Sequence, residues 1–273
     1  MHLVWAAVLI IGTSAIMITA MLLVRRRAPR GGYFVNGDRA AAVFGVLATG
    51  FALLLGFAVF LAFARYDDAR DSAHAEALAV AELYETAQLL PPDVRETLSG
   101  ELVCYARSVI AIEWPLMSSN IHPPFNEWGN ALFLTLQTIE PRTASEQSAF
   151  DSWLATTNRR EDERRLRLHG GEGLVPLAVW IVLFLCAGLI LLFLLFFADS
   201  EESAVAQSLI AGTVTALVVA LLLLLAALNR PYQQDIGGLD PHAMQHTLQI
   251  IDEARATLGI DDAPPCDASG RAL

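Results

Sequence analysis

Four stretches of this chain, Leu3–Val24, Ala41–Phe63, Leu174–Phe197 and Ala204–Leu228, contain no Asp, Glu, Arg or His. A helix needs about 20 apolar residues to cross a bilayer, and backbone in lipid must satisfy its own hydrogen bonds. Each run is long enough, and elsewhere there is no strand alternation of useful length and no internal repeat. The reading is an all-α, polytopic membrane protein with four transmembrane helices and a helical insert between the second and third. Composition agrees. Of 273 residues 55% are hydrophobic and 17% charged, where soluble domains carry about 25% charge. That balance argues against disorder and against an ordinary soluble enzyme. With 18 basic and 29 acidic residues, net −11, it also argues against nucleic-acid binding. Every basic residue is Arg, for which the sequence offers no functional reading.

The first run lacks the basic n-region and cleavage site of a signal peptide and ends in Arg25-Arg26-Arg27, so it reads as a retained span. Sidedness is contested. Loop 25–40 holds Arg25, Arg26, Arg27, Arg30 and Arg39 against Asp38, whereas loop 198–203 holds Asp199, Glu201 and Glu202 and no base. Short loops weigh most in the positive-inside rule, which places loop 25–40 in the cytoplasm and both termini and residues 64–173 outside. Arg65, Arg70 and the cluster Arg159, Arg160, Arg164, Arg165, Arg167 flank other span ends and argue for the reverse. The membrane is expected to be the inner, cytoplasmic one.

By composition the chain divides into residues 1–63, two spans with the Arg-rich loop; 64–173, an extramembrane domain with 10 Arg and 18 acids, net −8; 174–228, two spans; and 229–273, a helix and a tail. No Gly or Pro occurs between Gly56 and Pro91, so the second span is expected to continue as one helix to about Leu89. Pro91-Pro92 opens a helix to about Ile112, Glu113-Trp114-Pro115 breaks the chain, and 116–125 reads as loop. A helix follows over 126–138. Thr143 and Glu146 form a capping box for another that stops at Gly170-Gly171. Arg159/Glu163, Glu161/Arg165 and Glu163/Arg167 lie four apart, the pattern of a solvated, ion-paired face, whose basic end could meet lipid headgroups. Asp240, Pro241 and Gly259 mark the last helix. Residues 260–273 read as disordered.

Candidate chemistry is sparse. Asp67, Asp71 and His74 share one helical face just past the second span. They fit a charged ring at a pore mouth, a divalent-cation site, or a solvated face pairing with Arg70. Phe44, Phe51, Phe57 and Phe60 on the same helix fit either apolar gating rings or ordinary lipid-facing and core aromatics. Ala41, Gly45, Thr49, Ala52 and Gly56 form a small-residue stripe suited to close helix packing. His242 and His246, four apart with Cys266 downstream, lack the further ligands that zinc needs. His169-Gly170-Gly171 reads as a helix stop. No P-loop, dinucleotide fingerprint, nucleophile elbow or metalloprotease motif is present, so no catalytic residue, metal or cofactor is assigned. No ionisable group lies within a span, which argues against proton-coupled transport and voltage sensing. Cys186 reads as a small hydrophobe. Cys104 and Cys266 pair only if both lie outside the cytoplasm and their Cβ atoms meet; with Cys104 in a helix pattern they read as free thiols.

One ordered set of residues carries a family resemblance. Phe63-Ala-Arg-Tyr66-Asp67-Asp68 is followed by Glu76-Ala77, Leu83-Tyr84 and Leu90-Pro91. Then come Tyr105-Ala106, Glu113-Trp114-Pro115, Glu140-Pro141-Arg142-Thr143, Pro176 with Trp180, and Asn229-Arg230-Pro231-Tyr232. In order and spacing, over about residues 1–255, the chain resembles the bestrophin-like bacterial membrane family (domain of unknown function 4239). The resemblance implies four spans with a helical insert and, through remote similarity to bestrophins, an oligomeric anion channel whose pore is lined by the second span. It implies a homo-oligomer in a lipid bilayer. The alternative is a non-transporting scaffold or signalling protein whose acidic domain meets a protein partner. Two features depart. The family pattern after the fourth span is closer to Asp-x-Pro-Phe then Gly, and the net −8 insert suits anion attraction poorly. Bestrophins also keep the insert and termini cytoplasmic, against the count over Arg25–Arg30.

Overall fold

A computed structural model describes residues 3–170, 175–233, 237–260 and 263–273. Gly171 and Leu174, where the sequence places a helix stop and the start of the third span, lie outside them. The described helices are α1 (Leu3–Arg27), α2 (Gly37–Ala87), α3 (Pro92–Ser108), α4 (Trp114–Ser118), α5 (Glu127–Leu136), α6 (Ala144–His169), α7 (Leu177–Phe196), α8 (Ala204–Leu228) and α9 (His242–Thr257). Among the described residues the sole β feature is an isolated bridge between Cys266 and Ala272. The fold is all-α, and α1, α2, α7 and α8 are long and apolar enough to span a membrane. At 51 residues, α2 is about 76 Å long and contributes to two compact units.

The membrane unit holds α1, the first half of α2, α7 and α8. Phe51, Leu55, Ala58 and Ala62 of α2 bury against Leu183, Ala187 and Ile190 of α7 and Val218, Leu222 and Leu225 of α8. α1 approaches α8 closely: a Cβ on Gly212 would meet Ile18 Cδ1 at 2.9 Å. The two short loops meet. Arg25 donates to the carbonyls of Ser200 (3.0 Å) and Glu202, and Asp199 accepts from Gly31 N (3.2 Å). The two loops are therefore joined by side-chain to backbone hydrogen bonds.

The second unit holds the rest of α2, α3 to α6, α9 and the tail. Val80, Leu83, Leu98, Leu102, Tyr105, Leu132 and Trp153 are wholly buried there. Side chains cap two helix starts, the second as its capping box leads one to expect. Asn126 caps α5 by accepting from Trp128 N and Gly129 N. Thr143 accepts from Glu146 N (3.1 Å), while Glu146 accepts from Arg142 N (2.7 Å).

Four expectations are corrected here. Glu113-Trp114-Pro115 does not break the chain: a π-helical turn, Val109–Glu113, joins α3 to α4, and its widened turn accommodates Pro115, which has no N–H to donate. The Arg-rich stretch of α6 is not a solvated ladder, because Arg160 and Arg167 are completely buried and the ion pairs run mostly to other helices. Cys104 and Cys266 are not free thiols but a disulfide, with Cα atoms 5.7 Å apart. The tail is not disordered over 263–273. Trp128 Nε1 donates to Gly270 O (2.5 Å), Pro265 packs on Gly100, and Asp267 accepts from the Ser269 and Arg271 backbones.

Candidate functional site

A closed ionic network occupies the core of the second unit. Arg167 lies in the middle with no exposure. It donates to both oxygens of Glu76 and to Glu113 Oε2 (2.6 Å). Arg164 donates to Glu113 Oε1 from Nε (3.1 Å) and from its second terminal nitrogen (2.9 Å). Tyr105 Oη donates to Glu76 Oε1 (2.7 Å) and Asn126 Nδ2 to Glu113 Oε1 (2.7 Å). Two carboxylates face two guanidiniums, so the charge is balanced within the buried space. Burial pushes the Glu113 carboxyl up, but Arg167 and Arg164 outweigh it and hold it below the usual range. For Arg167, burial acts against the charge, and Glu76 and Glu113 reverse that and raise it well above the ordinary value. Burial and the neighbouring Glu76 keep Tyr105 neutral.

Several residues of the ordered set meet here. Trp114 lies under Arg167, whose guanidinium carbon is 5.6 Å from the ring centroid. Trp114 packs edge-on against Tyr232 at 5.3 Å and donates to Leu239 O (3.2 Å). Tyr232 Oη donates to Ala69 O (3.2 Å), and Pro231 O accepts from Leu239 N (2.7 Å). Pro115 is exposed beside the π turn. In the membrane unit, Pro176 opens α7 and Trp180 stacks on Phe184 at 5.6 Å.

The aromatics expected to act together divide. Phe51 is buried, and Phe44 packs on Phe193 and Phe197, while Phe57 and Phe60 are each 67% exposed. Phe44 and Phe51 instead line an apolar groove of about 400 Å³ with Ala52, Gly56, Ile190 and Val218. Along α2, Ala41, Gly45, Thr49, Ala52 and Gly56 are all exposed, and a Cβ on Gly45 or Gly56 would meet nothing.

Asp67, Asp71 and His74 are exposed on α2, and His74 parts company with the two acids. It lines a hollow of about 320 Å³ with Tyr66, Arg70, Asp240 and His242. Among the described residues no group of three His, Cys, Asp or Glu is placed to hold a metal. Cys266, the further candidate partner of His242 and His246, is taken by its disulfide. The sequence reading missed Glu76, Arg160, Arg164 and Arg167 as core residues. For Arg160 and Arg167 a signal was available: Ala149, Trp153, Thr156, Arg160 and Arg167 fall at steps of four, three, four and seven residues on one face of α6.

The Bestrophin-like domain model matches residues 11–237 of the chain. The protein belongs to the bestrophin-like family. A crystal structure of a bacterial bestrophin homologue from Klebsiella pneumoniae, a point mutant, superposes with a TM-score of 0.65 at 15% identity. It covers 91% of this chain and 98% of that one. A point mutant described as a membrane protein gives 0.64 at 15%, covering 89% and 96%. Another Klebsiella pneumoniae homologue mutant gives 0.60 at 16%. At these identities the likeness is one of fold. No curated protein matches the chain significantly. In this bestrophin-like chain the network around Glu113 and the unpacked face of α2 are the two features that stand out from an ordinary helical bundle.

Proposed function

We propose that the protein is one subunit of an oligomeric bestrophin-like ion channel in which α2 lines the pore. The observation that carries this reading is the α2 stripe. Small residues in membrane helices mark close helix contacts, yet the stripe from Ala41 to Gly56 is exposed in the single chain. A second copy supplies what the chain lacks, and family membership makes a homo-oligomer in a bilayer the natural form. Phe57 and Phe60 then form the apolar constriction, and Asp67 and Asp71 a charged ring at its mouth, attracting cations. Purified protein in liposomes is expected to conduct ions, and Asp67→Asn with Asp71→Asn to lower cation preference. Flux no greater than in empty vesicles overturns the reading and favours a scaffold that presents its acidic domain to a protein partner.

We further infer that residues 64–173 face the outside of an inner membrane. Disulfides persist in oxidising compartments, and the Cys104–Cys266 pair lies in this unit. The same side follows from the Arg count of loop 25–40. Intact protein alkylated without reductant is expected to carry two fewer blocked thiols than reduced protein. Full blocking before reduction returns the domain to the cytoplasm.

A further inference from the structure

Arg160 is completely buried, yet its Nε and one terminal nitrogen have no hydrogen-bond partner. Its guanidinium lies over the Tyr105 ring, 4.5 Å from the centroid. A ring face stabilises the cation's flat side but accepts nothing from the N–H edges. One carboxylate reaches it, that of Glu161, which touches a single terminal nitrogen and is itself 31% exposed. Arg167, seven residues on and equally buried, has Glu76 and Glu113 as full partners. Unpaired buried donors are costly, and those that persist call for an explanation such as a ligand.

A hollow of about 200 Å³ with both polar and apolar walls adjoins Arg160 between α5 and α6, lined also by Phe125, Asn126, Asn130, Phe133, Thr157 and Arg164. That is room for roughly six waters' worth of liquid, enough for one small polar ion. Thr157 Oγ1 is a second buried donor without an acceptor. Glu113 is engaged by Arg164 and Arg167 instead. The wall carries Arg160, Arg164 and Arg165 against Glu161 alone. Gly129 lies beside this pair: a Cβ there would stand 3.2 Å from Glu161 Oε1 and 3.5 Å from the Arg160 terminal nitrogen that Glu161 engages.

We propose that this hollow binds a small oxyanion, a carboxylate or phosphate group, with Arg160 as its principal ligand and the Glu161 carboxylate as the resident competitor it displaces. An oxyanion offers two oxygens in the plane of a guanidinium, the geometry that Glu161 leaves half used. Bound there, it bridges α5 to α6.

The test uses the full chain in nanodiscs, followed by thermal unfolding while sodium acetate or sodium phosphate replaces sodium chloride at constant ionic strength. Saturable stabilisation by acetate or by phosphate supports the site and names its class. Glu161→Gln removes the competitor and is expected to tighten binding about fivefold, the worth of a half-exposed ion pair. Arg160→Gln is expected to abolish saturation. Should that variant not fold, Thr157→Val removes the other unpartnered donor at nearly constant volume and is expected to weaken binding. A response indistinguishable from chloride in both wild type and Glu161→Gln overturns the proposal, as does saturation unchanged by Thr157→Val.

Discussion

Replacing Arg167 by Met tests whether the buried network holds the extramembrane unit together. The Arg167 side chain is fully buried between Glu76, also fully buried, and Glu113, 2% exposed. Met fills comparable space but leaves two acids without their shared cation. Glu113 keeps Arg164 and Asn126. Glu76 keeps the Tyr105 hydroxyl, which is a poor substitute for a charge. Removing one member of a buried pair costs about 3–5 kcal/mol, and a unit of this size loses roughly 2–4 °C per kcal/mol, so a drop of about 10 °C is expected. Trp114, Trp128 and Trp153 are buried in this unit and report its melting by fluorescence. Adding Glu76→Gln to Arg167→Met removes the stranded charge and is expected to restore more than half the loss. A single-variant drop under about 2 °C, or no recovery in the double variant, refutes the reasoning. The pH dependence has a defined sign. Glu113 is held below its ordinary value of 4.5, so its stabilisation is present above that value and fades as pH falls through the lower, folded one. Arg167→Met is expected to flatten that acid-side loss.

Two further outcomes test the tail and the core. Gly270 has φ +81°, and a Cβ there would lie 2.7 Å from Ser108 Cα. Gly270→Ala is expected to lift the tail, break the Trp128–Gly270 bond and red-shift Trp128 emission, with faster amide exchange over 265–273; unchanged emission counts against a docked tail. Glu101 is buried with Oε2 unpartnered, and burial raises its carboxyl despite the opposing Thr135 hydrogen bond. The raised value means folding gains stability as pH falls through it and is penalised above it. Glu101→Gln is expected to stabilise the protein by about 1 kcal/mol at pH 7, with little change at pH 4; destabilisation at pH 7 contradicts this.

Some of the architecture could be read before any coordinates. The four spans follow from uncharged length alone, because lipid leaves the backbone one solution. The capping box at Thr143 is equally local, since a side chain needs only its own first turn to satisfy an orphan N–H, and the Asn126 cap, just as local, went unread. Glu113-Trp114-Pro115 misled for a physical reason: proline ends an α-helix unless a widened turn absorbs it, and that choice rests on what Glu113 and Trp114 contact.

The amino-acid sequence alone determined the membrane class, the four spans and most helix starts of this protein, all properties of contiguous residues, but not the short α4 that follows the π turn. Tertiary structure alone decided which charges are buried. Arg159 to Arg167 carry opposite charges at four-residue spacing, and in isolation a solvated ladder satisfies them. In the folded unit Arg167 meets Glu76, 91 residues away, and Glu113, 54 away, and Cys104 meets Cys266 across 162. Whether a guanidinium can leave water depends on partners brought from that distance, and no local pattern records them.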